Sequence, residues 1–511
     1  MKLSTKTRYG LRALANIVSQ DKDCCCSVKQ ISTQEKISHD YLEKIFSKLK
    51  KAGILKVERG ASGGYSLNRD PQEITLKEVV NALEKAEFIC PDFCFCQSKS
   101  VWQKIQSGFN NILSSITLNQ LVDFKNNSVY LDYAASTPID PEVLNKMLPY
   151  FDNSFFGNTM SLYQKGSISS EIIESCRQSF ANFLKVKSQE IIFTASATES
   201  NNTVLKGIAF ANQNKGKHII ISSIEHDCVL ESANWLKNQG FEVSQISVDN
   251  YGFLNQEELK KKIRKDTILV SIIHGNNEIG TIQDIEKIGQ ICHSRGVYFH
   301  TDASQSFTKV PLDLSKLKID LLTASSHKIY GPKGSALLYI KSGTKIDPLL
   351  HGGGHEFGFR SSTINLTSIV GFTKAAQIAF KNFDQENNRL SKLRDYLIKN
   401  ILKSIPNSHL NGHPKKRLSN NVNISFDKVE GESLLLELDY YGISVSTGSA
   451  CSSHSLKPSH VLLATGLPPE SSHSSLRFSL GRFTTKSELD YLLKVLPQVI
   501  NKFRQISPFK S

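Results

Sequence analysis

Three groups of residues in this 511-residue chain have the types and spacing for chemistry. The first is Cys451, a single thiol within STGSACSSHS (446–455), among serines, glycine, threonine and alanine. That stretch can pack no core and supplies no metal partner, so the thiol is either incidental to a surface loop or kept for its reactivity. The second is Lys328 in SSHKIYGPKG, preceded by Ser325, Ser326 and His327, donors suited to a phosphate. The third is Cys90, Cys94 and Cys96 in EFICPDFCFCQ, a C-x3-C-x-C cluster. Three thiolates this close suit a soft metal or an iron–sulfur cluster, which normally takes a fourth ligand.

The elements that must position Lys328 follow an alternating strand and helix pattern from Val129 onward, the signature of an α/β domain. IIFTASATESNN, KHIIISSIEHDCVL, TILVSIIHGNNEIG, VYFHTDASQSF and DLLTASSHKIYGPKGSALLYI each run from an apolar strand into a polar tip. Ligands bind at the carboxyl ends of parallel strands, so these tips converge on one site. Asp302 ends one strand, where it suits a ring nitrogen. Taken singly, a strand-end aspartate usually caps something, and a lysine before a glycine turn is usually solvated. Taken together, a Schiff-base lysine, an acid for a pyridinium and a hydroxyl-rich cup describe pyridoxal phosphate binding.

Length alone implies two to four domains. Hydrophobic content of 39% and charged content of 22% are those of a globular protein, and no apolar run nears the ~20 residues of a membrane span. In MKLSTKTRYGLRALANIV, Arg8 and Arg12 interrupt any signal-type apolar core, while Leu11, Leu14, Ala15 and Val18 recur at helical spacing. The stretch reads as the first helix of a domain. The expected compartment is the cytoplasm, where ten cysteines mean catalysis or metal more often than disulfides.

The formal net charge is +14, and residues 1–69 hold 14 Lys+Arg against 6 Asp+Glu. A basic compact segment is the footprint of polyanion binding, although solvated helix faces give the same count. Val28 and Ile31 lead one short helix, and Tyr41, Leu42, Ile45, Phe46 and Leu49 form an apolar stripe on the next, with Ser38 as its N-cap. This is helix-turn-helix spacing, with His39, Asp40, Glu43, Lys44 and Lys48 outward. ILKVERG and YSLNR then read as strands of a wing joined by GASGG, whose glycines bring backbone close to phosphates or a minor groove. Ser38, Tyr41, Glu43, Lys44, Arg59, Gly63 and Gly64 are the candidate DNA contacts.

Residues 1–122 resemble the winged-helix regulators of iron–sulfur cluster assembly, through MKLSTKTRYGLRALANI, YLEKIFSKLKKAGIL, RGASGGYSL and NNILSSITLNQLV in that order. The resemblance implies an iron–sulfur cluster on Cys90, Cys94 and Cys96. Where the family has its histidine ligand this chain has Lys99, which offers no lone pair while protonated. A linker, 123–128, follows.

From about Val129 to Pro508 the chain resembles the cysteine desulfurases of the housekeeping iron–sulfur assembly type. LDYAASTPIDP, TASATESNN, EHDCVLE, HGNNEIGTIQDI, HTDASQS, SSHKIYGPKG, HGGGHE, VEGESLLLEL and SSLRFSLGRFTT carry it. The implied fold is α/β, of the aspartate aminotransferase type. It has a large parallel or mixed-sheet domain over about 145–385 and a smaller α+β domain from about 386, to which the segment from Val129 is added. The resemblance makes Lys328 the Schiff-base lysine, pairs Asp302 with the ring nitrogen and Gln305 with the ring oxygen, and stacks His226 on the ring. Ala197, Thr198, Ser325 and His327 would surround the phosphate, with Thr363 reaching it from the partner subunit. Asn277 lies against cofactor and substrate, and Arg477 grips the substrate carboxylate. Two departures are Ser326, a glycine in the family, and SST (Ser361–Thr363) in place of SGT.

The implied reaction converts L-cysteine to L-alanine, with Lys328 or His226 moving the α-proton. Cys451 would take the sulfur as a persulfide, or share a transient cluster, and carry it to an acceptor on a segment that moves. The long interval to Arg477 resembles the class that hands sulfur to a scaffold protein, although SPFKS ends before that class's docking tail. Both families form homodimers. The expected whole is a desulfurase joined to a DNA-binding, cluster-sensing module. The alternatives are a module kept only for dimerisation or docking, and a related lyase acting on selenocysteine or cystine.

Overall fold

A computed structural model describes residues 4–19, 25–35, 37–58, 63–84, 99–120, 128–152, 155–448 and 458–506. The chain divides into two units, Met1–Ser128 and Val129–Ser511.

The first unit opens with helices Thr5–Val18, Val28–Glu35 and His39–Lys51. An antiparallel hairpin of β1 (Leu55–Glu58) and β2 (Gly64–Leu67) follows, with Leu55 opposite Leu67 and Glu58 opposite Gly64. Helices Leu76–Leu83 and Lys99–Ser115 complete it. Thr75 and Glu78 close a capping box that starts the first of these, satisfying two otherwise unpaired amides. Ala13, Leu14, Ile17, Ile31, Leu42, Ile45, Phe46 and Leu49 share one buried core.

Two details differ from the sequence expectation and a third adds to it. Tyr41 is not part of the buried stripe; it is exposed and meets Tyr9 edge-on at 6.0 Å. Ser38 stands at the N-cap, but its side chain caps nothing. Gly64 has a packing task, because a Cβ there would come within 2.6 Å of the Cys26 carbonyl oxygen. Cys26 and Tyr65 exchange both backbone hydrogen bonds at that close approach, 3.0 and 2.9 Å.

The second unit begins with β3 (Val129–Tyr130) and then builds a seven-stranded sheet. Its strands are β4 (Ile191–Thr194), β5 (His218–Ser222), β6 (Glu242–Ile246), β7 (Thr267–Ser271), β8 (Tyr298–Asp302), β9 (Leu321–Ser325) and β10 (Ala336–Ile340). The spatial order is β4-β10-β9-β8-β7-β5-β6. The run from β9 to β6 is parallel, and β10 lies antiparallel between β4 and β9. HIIIS, TILVS, LLTAS and ALLYI are buried at every position, as strands must be when helices cover both faces. The two faces carry separate cores, one around Phe180, Phe299, Phe307 and Phe372, the other around Leu205, Ile219, Leu269 and Leu338.

A smaller antiparallel sheet follows: β11 (Ser408–Leu410), β12 (Asn421–Phe426) and, after the short β13 (Ile443–Ser444), β14 (Ser475–Ser479), in the order β11-β12-β14. β13 pairs in parallel with β3, so the start of this unit folds onto its end. Helices Phe383–Ser404 and Lys486–Ile506 join that sheet around Leu397, Ile401, Ile424, Phe478, Leu492 and Ile500. Among the described residues, no helix is long and apolar enough to cross a membrane.

Candidate active site

A cavity of about 250 Å³ is lined by residues at or beyond the ends of β3, β4, β5, β7, β8 and β9 and by one residue of β14. After β4, Ser196 caps helix Ala197–Ala211, its hydroxyl accepting from the Glu199 amide at 3.1 Å. The Ala197 and Thr198 positions line the cavity in the first turn, where amides have no partner inside the helix and the dipole favours an anion. After β5, His226 caps helix Asp227–Asn238 with its ring: Nδ1 accepts from the Cys228 amide at 3.2 Å. In the neutral ring the proton therefore sits on Nε2. The Cys228 thiol also lines the cavity, 3.1 Å from His226 Nδ1 and 3.2 Å from the Asn201 amide nitrogen.

Asp302 ends β8 and is buried. Its Oδ2 accepts from Asn201 Nδ2 at 2.7 Å and its Oδ1 from the Ser304 amide at 2.9 Å, so both oxygens are oriented. After β9, a single turn, Ser326–Lys328, delivers Lys328. Lys328 Nζ donates to the carbonyls of Ala134 (2.6 Å) and Ala135 (2.8 Å), and Gln305 Nε2 donates to the same Ala134 oxygen at 2.8 Å. Ser326, the departure from a glycine, fits because residue 331 is itself glycine: a Cβ there would lie 2.2 Å from the Ser326 hydroxyl. Burial, with Lys328 and Lys333 nearby, holds His327 down at about 4, so its imidazole is neutral.

Arg477, near the centre of β14, is almost fully buried. It donates to Asp132 Oδ1 at 2.8 Å and to the Asn277 carbonyl at 3.2 Å, while Nε has no partner. Ser304 Oγ, Ser325 Oγ and His327 Nδ1 are likewise buried without partners. Buried polar groups are rarely left so, and these belong to a site rich in donors for an anionic ligand. Together with the helix start at Ala197, a fixed carboxylate and a lysine, the donor set fits pyridoxal phosphate.

The fold thus brings Ala197, Thr198, His226, Asn277, Asp302, Gln305, His327, Lys328 and Arg477 to one cavity. Ser325 is buried directly before that turn. Thr363 is exposed and does not line the cavity. Cys451, Cys90, Cys94, Cys96 and Arg59 lie outside the described residues. Sequence reasoning missed Asp132, Asn201 and Cys228, although LDYAAS, TESNN and EHDCVLE contain them; nothing in one dimension tells a bracing carboxylate from a turn residue. On either side of the undescribed residues around Cys451, Gly448 and Ser459 both meet Glu278. The Ser459 hydroxyl donates to its carboxylate, and a Cβ on Gly448 would lie 3.0 Å from Oε2. Glu278 is buried, and burial pushes its carboxyl up.

In the first unit, helix His39–Lys51 exposes His39, Asp40, Glu43, Lys44 and Lys48 on the side opposite Leu42, Ile45, Phe46 and Leu49. Gly63 and Gly64 are half-buried at the start of β2.

Comparison with known proteins matches residues 129–492 to the class-V aminotransferase family and residues 3–124 to a family described as an iron-dependent transcriptional regulator, Rrf2. A cysteine desulfurase IscS of Methanosarcina thermophila is 52% identical over 387 residues, 76% of this chain and 95% of that protein. Another of Dictyoglomus turgidum is 50% identical over 382 residues, 75% and 97% of the two chains. A solved NifS-like protein superposes with a TM-score of 0.69 at 36% identity, over 73% of this chain and all of that one.

Proposed function

We propose, from the premise that this chain belongs to the class-V aminotransferases and within them to the IscS-type cysteine desulfurases, that it converts L-cysteine to L-alanine and passes the sulfur to Cys451. The observation that carries the reading is the joint presence, in one cavity at the strand ends, of Lys328, the oriented Asp302 and unpartnered buried donors. Lys328 would hold pyridoxal phosphate covalently, Asp302 would face its ring nitrogen and Gln305 its ring oxygen. Ala197, Thr198, Ser325 and His327 would hold the phosphate, with Thr363 of the partner subunit. When bound, the cofactor supplies the electron sink that makes the sulfur of cysteine electrophilic.

This chain's own side chains do the rest. Arg477, braced by Asp132 and the Asn277 carbonyl, presents its remaining N–H donors to the substrate carboxylate. His226, its Nδ1 occupied by the helix amide, exchanges protons through Nε2, and the Lys328 amine takes the α-proton. The Cys451 thiolate then attacks the substrate sulfur: an S–S bond forms, the C–S bond breaks, and the carbon keeps the electron pair and is protonated to alanine. In the test, wild type and Cys451→Ala are given cysteine without reductant. The expected result is one sulfur atom on Cys451 in wild type and alanine formation lowered by about 100-fold or more in the variant. A variant forming alanine at the wild-type rate would refute this role and favour a lyase on selenocysteine or cystine.

The regulator-type module supports a second function, binding of DNA through helix His39–Lys51 and the wing. The exposed Lys44 and Lys48 and the positive balance of residues 1–69 favour it. An iron–sulfur cluster on Cys90, Cys94 and Cys96 would make the module a sensor, with Lys99 where the family's histidine stands. Binding to its own upstream DNA should exceed binding to arbitrary DNA by about 10³-fold at matched salt. Equal affinities would favour a module used for dimerisation or docking.

A further inference from the structure

A second, smaller cavity, about 30 Å³, is also lined by Lys328, and it holds another lysine, Lys309. Lys309 follows β8 in HTDASQSFTKVP and donates through Nζ to the Gln305 carbonyl at 2.9 Å. That bond spans the turn after Asp302, in which Thr308 takes a positive φ of 65°, a strained conformation for a threonine. The side chain of the same Gln305 shares the Ala134 carbonyl with Lys328 Nζ. A short hydrogen-bonded path therefore links the two lysines through Gln305 and Ala134.

The surroundings do not neutralise Lys309. Among the described residues no carboxylate lies within ion-pair distance of it. From helix Phe383–Ser404 it faces Glu386, but that carboxylate is paired with Arg482 at 3.1 Å, and Arg482 is paired again with Asp140. Tyr330 and Tyr133 complete the titratable lining, and burial drives Tyr330 well above its ordinary value. On the other side Lys328 adjoins the cavity lined by Asp302, His226, Cys228, His327 and Arg477.

We propose that Lys309 is a positioning residue for the reaction: it ties down the turn that follows Asp302 and carries Gln305, and its charge disfavours a second positive charge on the Lys328 nitrogen. Burial and the facing Lys328 pull Lys309 down to about 8, so it is still cationic at neutral pH. Interaction between two charges is reciprocal, and what Lys328 does to Lys309 it receives in return. A cation beside a lysine favours its neutral, nucleophilic form. This proposal rests on reading Lys328 as the cofactor lysine.

The test uses the full-length holoenzyme with Lys309→Met, similar in length but neutral, and Lys309→Arg, which keeps the charge. The measured quantity is the pH midpoint of the visible absorption change of bound cofactor. Removing a unit charge from the cavity that Lys328 also lines should raise the midpoint by about one pH unit in Lys309→Met. Lys309→Arg should stay within about 0.3 unit of wild type. An unmoved midpoint in Lys309→Met would overturn the proposal. So would equal shifts in both variants, because a purely structural role does not distinguish them by charge. If Lys309→Met does not fold, Lys309→Gln takes its place in the same titration, where a midpoint raised by about one pH unit supports the proposal and an unmoved one overturns it. Failure of the underlying reading is separate: it would show as covalent cofactor absorption surviving in Lys328→Ala.

Discussion

Glu225 shows what burial does to one side chain beside this site. It is fully enclosed next to His226; one carboxyl oxygen accepts from the Ser222 hydroxyl and the Ile273 amide, and the other has no partner. Burial, opposed by those hydrogen bonds, raises it from 4.5 to about 8, so the acid keeps its proton at neutral pH. The unfolded chain releases that proton near 4.5 and the folded chain near 8. The stability Glu225 contributes is therefore complete below pH 4.5 and is lost as pH rises towards 8. Glu225→Gln cannot ionise and keeps the shape. Its Tm should gain on wild type by about 2–4 °C between pH 5 and pH 8, read by thermal unfolding. A parallel pair of Tm curves would place the proton elsewhere. No feature of EHDCVLE marks this glutamate as buried; only the neighbouring β7 and the loop after it, folded over it, make it so.

At the scale of elements, the segment from His351 to Thr363 hangs on ion pairs rather than on regular structure. Arg177, in helix Gln164–Leu184, makes a bidentate pair with Glu356 at 2.8 and 2.9 Å, and both side chains are buried. Glu356 also accepts from the Phe193 amide of β4 at 2.7 Å, and Arg360 grips Glu199 at 2.8 Å, in the first turn of helix Ala197–Ala211. Glu356 and Phe357 take positive φ, 51° and 56°, so these anchors hold strained backbone. Glu356→Gln removes the buried partner of Arg177, leaving it only the half-exposed Glu174 at 3.0 Å, and should cost about 3–5 kcal/mol in chemical denaturation of the holoenzyme. A loss under about 1 kcal/mol would mean that water reaches the guanidinium. The strands and helices around this segment are legible in sequence, since period and β-branching announce them. The pair 177–356 is not, because its partners stand 179 residues apart and the helical period around Arg177 names no partner for it.

For the whole molecule, each unit closes its own core: Leu14, Leu42 and Phe46 in Met1–Ser128, and the cores of the large and small sheets in Val129–Ser511. The fragment 129–511 should thus fold and form alanine from cysteine within about threefold of the full chain per bound cofactor. An insoluble or cofactor-free fragment would show that the first unit is needed for folding of the second. By itself, the sequence determined the succession of elements, the strand tips that carry chemistry and the identity of Lys328 and Asp302 as candidates. These depend on local pattern and on residue type, which one dimension preserves. Only the tertiary structure decided that Asp132 braces Arg477, that Cys228 stands in the cavity, that Asn201 orients Asp302, that Gly64 clears Cys26, and that Lys309 shares a cavity with Lys328. Orientation, burial and the proximity of charges arise when distant segments pack, and no spacing along the chain encodes them.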